Sequence, residues 1–91
     1  MSVYTYLIKS ELDQAFYIGI SENPEKRLLE HNSGKLKGTA RKKPWKLVYF
    51  KDRSDYAEAR KHEKWLKKKN RAYKEEVSNS FARPAQAAGA G

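Results

Sequence analysis

The strongest constraint on the fold lies in two short stretches, VYTYLI at 3–8 and FYIGI at 16–20, joined by the polar KSELDQA. Both are rich in β-branched and aromatic residues, as strands are. So short a connection pairs them as an antiparallel hairpin. With the loop centred near Glu11 and Leu12, Leu7 lies opposite Phe16 and Thr5 opposite Ile18. On the other face Tyr6 is then opposite Tyr17, and Tyr4 opposite Gly19. The period of 2 sets the two central tyrosines side by side on one face. Phe16, Ile18 and Ile20 anchor the second strand, while its other face carries Tyr17 beside Gly19. Either that strand is a loose edge, or something sits close to the tyrosine.

Helix punctuation follows. Asn23 is a good N-cap, Pro24 suits the first helical position, Glu25 complements the dipole and Gly34 can close the end. Leu28 faces the core with Leu29 beside it, and Arg27 and His31, four apart, share a face. A basic loop at 35–44 ends at Pro44. WKLVYF at 45–50 reads as a third strand, apolar on both faces and so covered on both sides. Ser54 or Asp55 caps a second helix through about Lys68, and a third covers 71–78. The expected domain is 1–79, followed by a disordered tail over 80–91, where SFARPAQAAGAG has no apolar periodicity.

Charge narrows the partners. The 91 residues carry a net charge of +9 and no cysteine. Disulfides, thiolate metal clusters and a cysteine nucleophile are excluded. A field of this sign attracts polyanions. Its two clusters, KLKGTARKKPWK and RKHEKWLKKKNRAYK, interleave aromatics with cations, as surfaces following a phosphate backbone do. The expected phosphate contacts are Lys35, Lys37, Arg41, Lys42 and Lys43 in the first, and Lys68, Lys69 and Arg71 in the second. The N-terminal stretch lacks a signal-peptide pattern and no apolar run approaches the ~20 residues of a membrane span. The expectation is a cytoplasmic protein that does not engage a membrane.

One acidic residue is out of place. On the second helix the apolar stripe runs Tyr56, Ala59, Leu66, and at about 100° per residue Glu63 falls inside it. A carboxylate there must be paired, hydrated in a cleft or bound to a metal. Arg60 or Lys67 could pair with it. Tyr6, Tyr17, Arg27, His31 and Glu63 are thus the candidate chemical groups: a proton acceptor, a cation for a phosphate, and a hard carboxylate for Mg²⁺.

With those residues in place, the chain resembles the GIY-YIG nuclease domains, of the small stand-alone type related to the N-terminal domain of the excinuclease C subunit. YTY at 4–6 stands where the family has its first triplet, and YIG at 17–19 matches the second. KRLLEHNSGK, KPWKLVYF and EARKHEKWLKKKNR follow in order. The resemblance implies a mixed fold (α/β in the broad sense, of the α+β type): a three-stranded antiparallel sheet flanked by helices. It implies an endonuclease that hydrolyses DNA phosphodiester bonds with one Mg²⁺ or Mn²⁺ ion, leaving 5′-phosphate and 3′-hydroxyl ends. In that carry-over Tyr17 is general base or proton acceptor, Tyr6 supports it by hydrogen bonding, Arg27 contacts the phosphate, His31 is the histidine one turn later, and Glu63 binds the metal. Many members have a late asparagine, for which Asn70 and Asn79 are both available. Expected substrates are branched or damaged DNA, with RNA open and a protein partner as a source of specificity. The rival expectation is a nucleic-acid-binding module of the same fold with little cleavage of its own. A basic protein-interaction domain comes third.

Overall fold

The structure is a computed structural model describing residues 2–90, with side chains through Phe81. Three strands, β1 (Val3–Ser10), β2 (Phe16–Ser21) and β3 (Trp45–Arg53), form one antiparallel sheet in the order β2-β1-β3. Helices α1 (Pro24–Ser33), α2 (Lys37–Ala40), α3 (Tyr56–Lys67) and α4 (Arg71–Ala90) surround it. This is the expected α+β architecture, with β1 in the centre.

The hairpin differs from expectation in register. Tyr6 pairs with Gly19, Leu7 with Ile18 and Ile8 with Tyr17. The reason is the loop. The Ser10 hydroxyl accepts the N–H groups of Leu12 and Asp13, and Gln14 takes a positive φ of 66°, so the turn centres one residue later than expected. Partners therefore move by two, an even shift that leaves every side chain on its expected face.

β3 is an edge strand, yet it is covered on both faces as expected: Trp45 and Leu47 pack toward α1, and Val48 and Tyr49 toward α3. Leu7 pairs with Tyr49 and Ile8 with Leu47, so Val48 is an extra, bulged residue. The bulge turns both Val48 and Tyr49 toward the face of Leu7, which explains the unbroken apolar run. Phe50 remains more than one-third exposed.

Each face of the sheet has its own core. Leu7, Ile18 and Val48 pack under α3 with Leu66. The buried Thr5 hydroxyl locks that helix down by donating to the Ala59 carbonyl at 2.8 Å. Tyr6, Ile8 and Trp45 pack on the other face, with Leu28 of α1 against them and Leu29 left to solvent. Helices α1 and α3 begin as their caps dictate: Asn23 Oδ1 accepts the Lys26 N–H, and Asp55 Oδ1 accepts the Glu58 N–H. Gly34 closes α1 in the left-handed conformation, φ 85°. Tyr56 does not join the core; it is half exposed and donates its hydroxyl to Glu22. α4 begins at the expected place, and Phe81 packs on Tyr49 and Phe50. Of the tail expected from residue 80, side chains from 82 onward lie outside the described residues.

Candidate active site

Tyr6 projects from the central strand under α1 and is 1% exposed. Its hydroxyl is hydrogen-bonded to His31 Nε2 at 2.8 Å, and His31 Nδ1 to the Thr39 hydroxyl at 2.8 Å. Gly19, directly opposite on β2, carries no side chain because the Tyr6 ring occupies that space. A Cβ there would stand 2.5 Å from Tyr6 Oη. The glycine beside Tyr17 therefore makes room for the other tyrosine.

Tyr17 lies on the same face, 38% exposed. Its ring centroid is 6.4 Å from Tyr6, 5.0 Å from His31 and 6.3 Å from Trp45. One tyrosine is thus enclosed and the other presented to solvent on top of it. Arg27 of α1 lies beside the Tyr6 hydroxyl and bonds Glu30 at 2.8 Å. That Glu30 bond leads in holding the guanidinium charged.

Electrostatics assign the protons. Burial first, and the adjacent Tyr17 next, push the Tyr6 hydroxyl up to about 12; Arg27 opposes the shift without cancelling it. Burial, with Arg27 second, holds the His31 imidazole below its ordinary range, so it is neutral at pH 7. His31 is therefore a buried, neutral hydrogen-bond bridge. The sequence placed it on a face with Arg27 but gave no sign of its complete burial.

Glu63 faces inward as its spacing predicts, its side chain 15% exposed, and it pairs with Lys67 at 3.2 Å. Its helix packs on the sheet face opposite α1. Among the described residues it makes no hydrogen bond or ion pair with Tyr6, Tyr17, Arg27 or His31. Nor, among those residues, do three His, Cys, Asp or Glu side chains gather as a ready-made metal cage. A single protein carboxylate fits a hard divalent ion of the kind that keeps several waters and takes its other oxygens from substrate phosphate. The competing Lys67 is exposed enough to swing away.

The two basic clusters meet at one end of the sheet. Lys42 pairs with Asp13 of the hairpin loop at 2.6 Å, and Ser10 donates to the Lys42 carbonyl. On the other face Arg71 stacks on Phe16, next to Tyr17, and Lys69 lies over the Trp65 and Tyr73 rings. Lys35, Lys37, Arg41, Lys43 and Lys68 are exposed around them. Glu22 and Glu25 mark the opposite end. Asn70 caps α4 by accepting the Tyr73 N–H, while Asn79 is exposed on the same helix.

Two contributors escape a reading of the sequence. Trp45 is a buried wall of the site, and its indole N–H donates to the Thr39 carbonyl at 2.9 Å. Thr39 sits in a segment with the look of a solvated basic loop, yet it is 2% exposed. The signal available was Leu36 and Thr39 at i, i+3 within a run of lysines.

A small antiparallel sheet carrying a paired-tyrosine site next to a helical arginine defines the class to which comparison with known proteins also points. The GIY-YIG catalytic domain family matches residues 2–76, and the chain belongs to it. Its relatives are small stand-alone proteins. A UPF0213 protein of Clostridium perfringens is 37% identical over 78 residues, covering 85% of this chain and 83% of that one. A UPF0213 protein of Syntrophus aciditrophicus is 40% identical over 73 residues, covering 78% and 83%. The solution NMR structure of a UPF0213 protein from Bacillus halodurans aligns with a TM-score of 0.54 at 29% identity, covering 87% of this chain and 84% of that one. Membership implies a nuclease-type function on nucleic acid, in a family that uses a divalent metal. Among the described residues no helix is long and apolar enough to cross a membrane.

Proposed function

We propose that this protein is an endonuclease that hydrolyses DNA phosphodiester bonds, with Tyr17 meeting the attacking water. The observation that carries the reading is the pairing of an exposed Tyr17 with an enclosed Tyr6 that keeps its own proton and is hydrogen-bonded to a neutral His31. A fold-maintaining surface has no use for such a layered set. Tyr17, acting as the phenolate, would accept the proton of the water and become the neutral phenol, while Arg27 neutralises the phosphate under attack. Tyr6 and His31 hold the Tyr17 ring from beneath and exclude solvent from its inner side. Glu63 would hold one Mg²⁺ or Mn²⁺, which when bound stabilises charge on the leaving 3′-oxygen. Because Mg²⁺ sites draw on phosphate oxygens, DNA itself would complete the coordination. The lysines at the hairpin end hold the backbone on either side of Tyr17 without reading sequence. Specificity for branched or damaged DNA would come from DNA shape or a protein partner, and the same contacts would accept RNA. We place the protein in the cytoplasm, where such substrates occur.

Cleavage of plasmid, branched and single-stranded substrates with Mg²⁺ or Mn²⁺ tests this, comparing wild type with Tyr17→Phe and Glu63→Ala. Nicking by wild type, lost in both variants, is expected. Equal activity in all three would remove the chemistry from these residues. The pairing of Glu63 with Lys67 favours a second reading, a binding module with little cleavage of its own. That reading predicts salt-dependent DNA binding, indifferent to metal, and no nicking by wild type.

A further inference from the structure

We infer that Thr39 is a positioning residue of the candidate site: its hydroxyl accepts from His31 Nδ1–H, fixes that tautomer, and so directs the Tyr6 proton to Nε2. Its catalytic consequence rests on the nuclease reading; the tautomer does not.

Hydrogen-bond parity carries the assignment. Tyr6, His31 and Thr39 are each no more than 2% exposed, so water cannot repair a missing partner. Both links of the chain are 2.8 Å, and two proton arrangements are conceivable. In the first, His31 Nδ1–H donates to Thr39, Thr39 donates to the Leu36 carbonyl at 3.4 Å, and Tyr6 donates to Nε2. Every hydrogen then has an acceptor. In the second, Thr39 donates to Nδ1 and Nε2–H donates to Tyr6. The Tyr6 hydrogen is then left with no acceptor among the described residues: Arg27 offers only N–H donors, and the neighbouring Tyr17 hydroxyl makes no hydrogen bond with Tyr6, whose hydroxyl is bonded to His31. A buried donor without a partner is costly, and the first arrangement wins.

Thr39 is held for this role. Its N–H bonds the Leu36 carbonyl at 3.1 Å, and its own carbonyl accepts from the Trp45 indole at 2.9 Å and the Lys42 N–H at 3.2 Å. It is the buried residue of α2, inside a loop otherwise dominated by lysines. The consequence falls on Tyr6. With its proton turned to His31, its oxygen lone pairs are left for donors on the Tyr17 and Arg27 side.

Imidazole ¹⁵N NMR of the full chain at neutral pH tests the assignment, with the His62→Gln variant separating the two histidines. Wild-type His31 should show a protonated Nδ1 and a bare Nε2. Thr39→Val should abolish that preference and Thr39→Ser should keep it. In cleavage with Mg²⁺, Thr39→Val should lose roughly 10–100-fold in kcat, the range seen when an orienting partner is removed, with KM little changed. Thr39→Ser should recover most of the rate. A protonated Nε2 in wild type overturns the proposal, as does a Thr39→Val protein with wild-type tautomer and kcat. Should Thr39→Val not fold, the wild-type and Thr39→Ser spectra decide by the same criterion. Absence of nicking by wild type would end the nuclease reading and leave the tautomer result to stand alone.

Discussion

Gly19→Ala sets two physical effects against each other. In a strand, alanine is ordinarily better than glycine by about 0.5–1 kcal/mol, because glycine loses more backbone freedom on folding. Here the added methyl would lie 2.5 Å from Tyr6 Oη, 2.6 Å from Cζ and 2.9 Å from Cε2. Ordinary carbon contacts are about 3.5–4.0 Å, so the ring must retreat by about 1 Å. It has nowhere to go, being 1% exposed and tied to His31 at 2.8 Å. Overpacking costs about 1–3 kcal/mol, and the stretched hydrogen bond adds about 1 kcal/mol. The net loss is about 1–3 kcal/mol, a fall in Tm of roughly 5–20 °C for a domain of this size. Urea unfolding followed by tryptophan fluorescence should show a lower midpoint at unchanged slope. Tyr6→Phe should not rescue the variant, since Cζ remains; Tyr6→Leu should recover part of the loss. Gly38→Ala is the control, because nothing lies within 4 Å of its Cβ position and the site is helical. It should stabilise by up to about 1 kcal/mol. A Gly19→Ala protein as stable as wild type, with nicking intact, would refute the close packing of Tyr6 on Gly19.

Three further outcomes follow from the same geometry. Burial holds His31 below its ordinary 6.5, so the folded state binds fewer protons there than the unfolded chain. Its contribution is complete above pH 6.5 and declines as pH falls through the native value; His62, also lowered by burial, has the same sign. Urea midpoints should therefore drop from neutral pH toward about pH 5, and His31→Gln should flatten the slope. If Lys67 competes with a metal for Glu63, Lys67→Met should lower the Mn²⁺ concentration that half-saturates nicking; an unchanged or raised value would separate Glu63 from the metal. Lys37→Ala with Arg41→Ala should weaken DNA binding alike on all sequences and reduce the salt slope by roughly 1–2, measured by fluorescence anisotropy.

What the sequence could convey depended on how local each signal was. The caps at Asn23 and Asp55 act within a turn, and the helices start where those residues say. The face of each tyrosine survived a register error because the error was even. The bulge at Val48 could not be read, since an unbroken apolar run has the same appearance in a regular strand covered on both faces, as β3 is, with or without the extra residue. Tyr56 fits the helical stripe but lies in the first turn, where Glu22 meets its hydroxyl. Thr39 and His31 were hidden for a related reason. Their burial is set by Tyr6, distant in sequence, and by Trp45 beyond the loop, and the one local hint, Leu36 and Thr39 at i, i+3, is swamped by the surrounding lysines.

Glu63 shows where local reasoning stops. Its inward direction follows from helical spacing alone, and its pairing with Lys67 at i, i+4 is a sufficient local account of a half-buried carboxylate. The sheet stands between it and Tyr6, so no local argument links the two. The strand order supplies the missing step. β2 is an edge strand, with Tyr17 projecting from one face and Ile18 packed beneath α3 on the other. In the proposed reading, a phosphate lying along that open edge would be met by groups from both faces. In the proposed nuclease, the active site is then not a pocket within one layer but a line along the β2 edge, with Tyr17 and Arg27 on one side and Glu63 on the other.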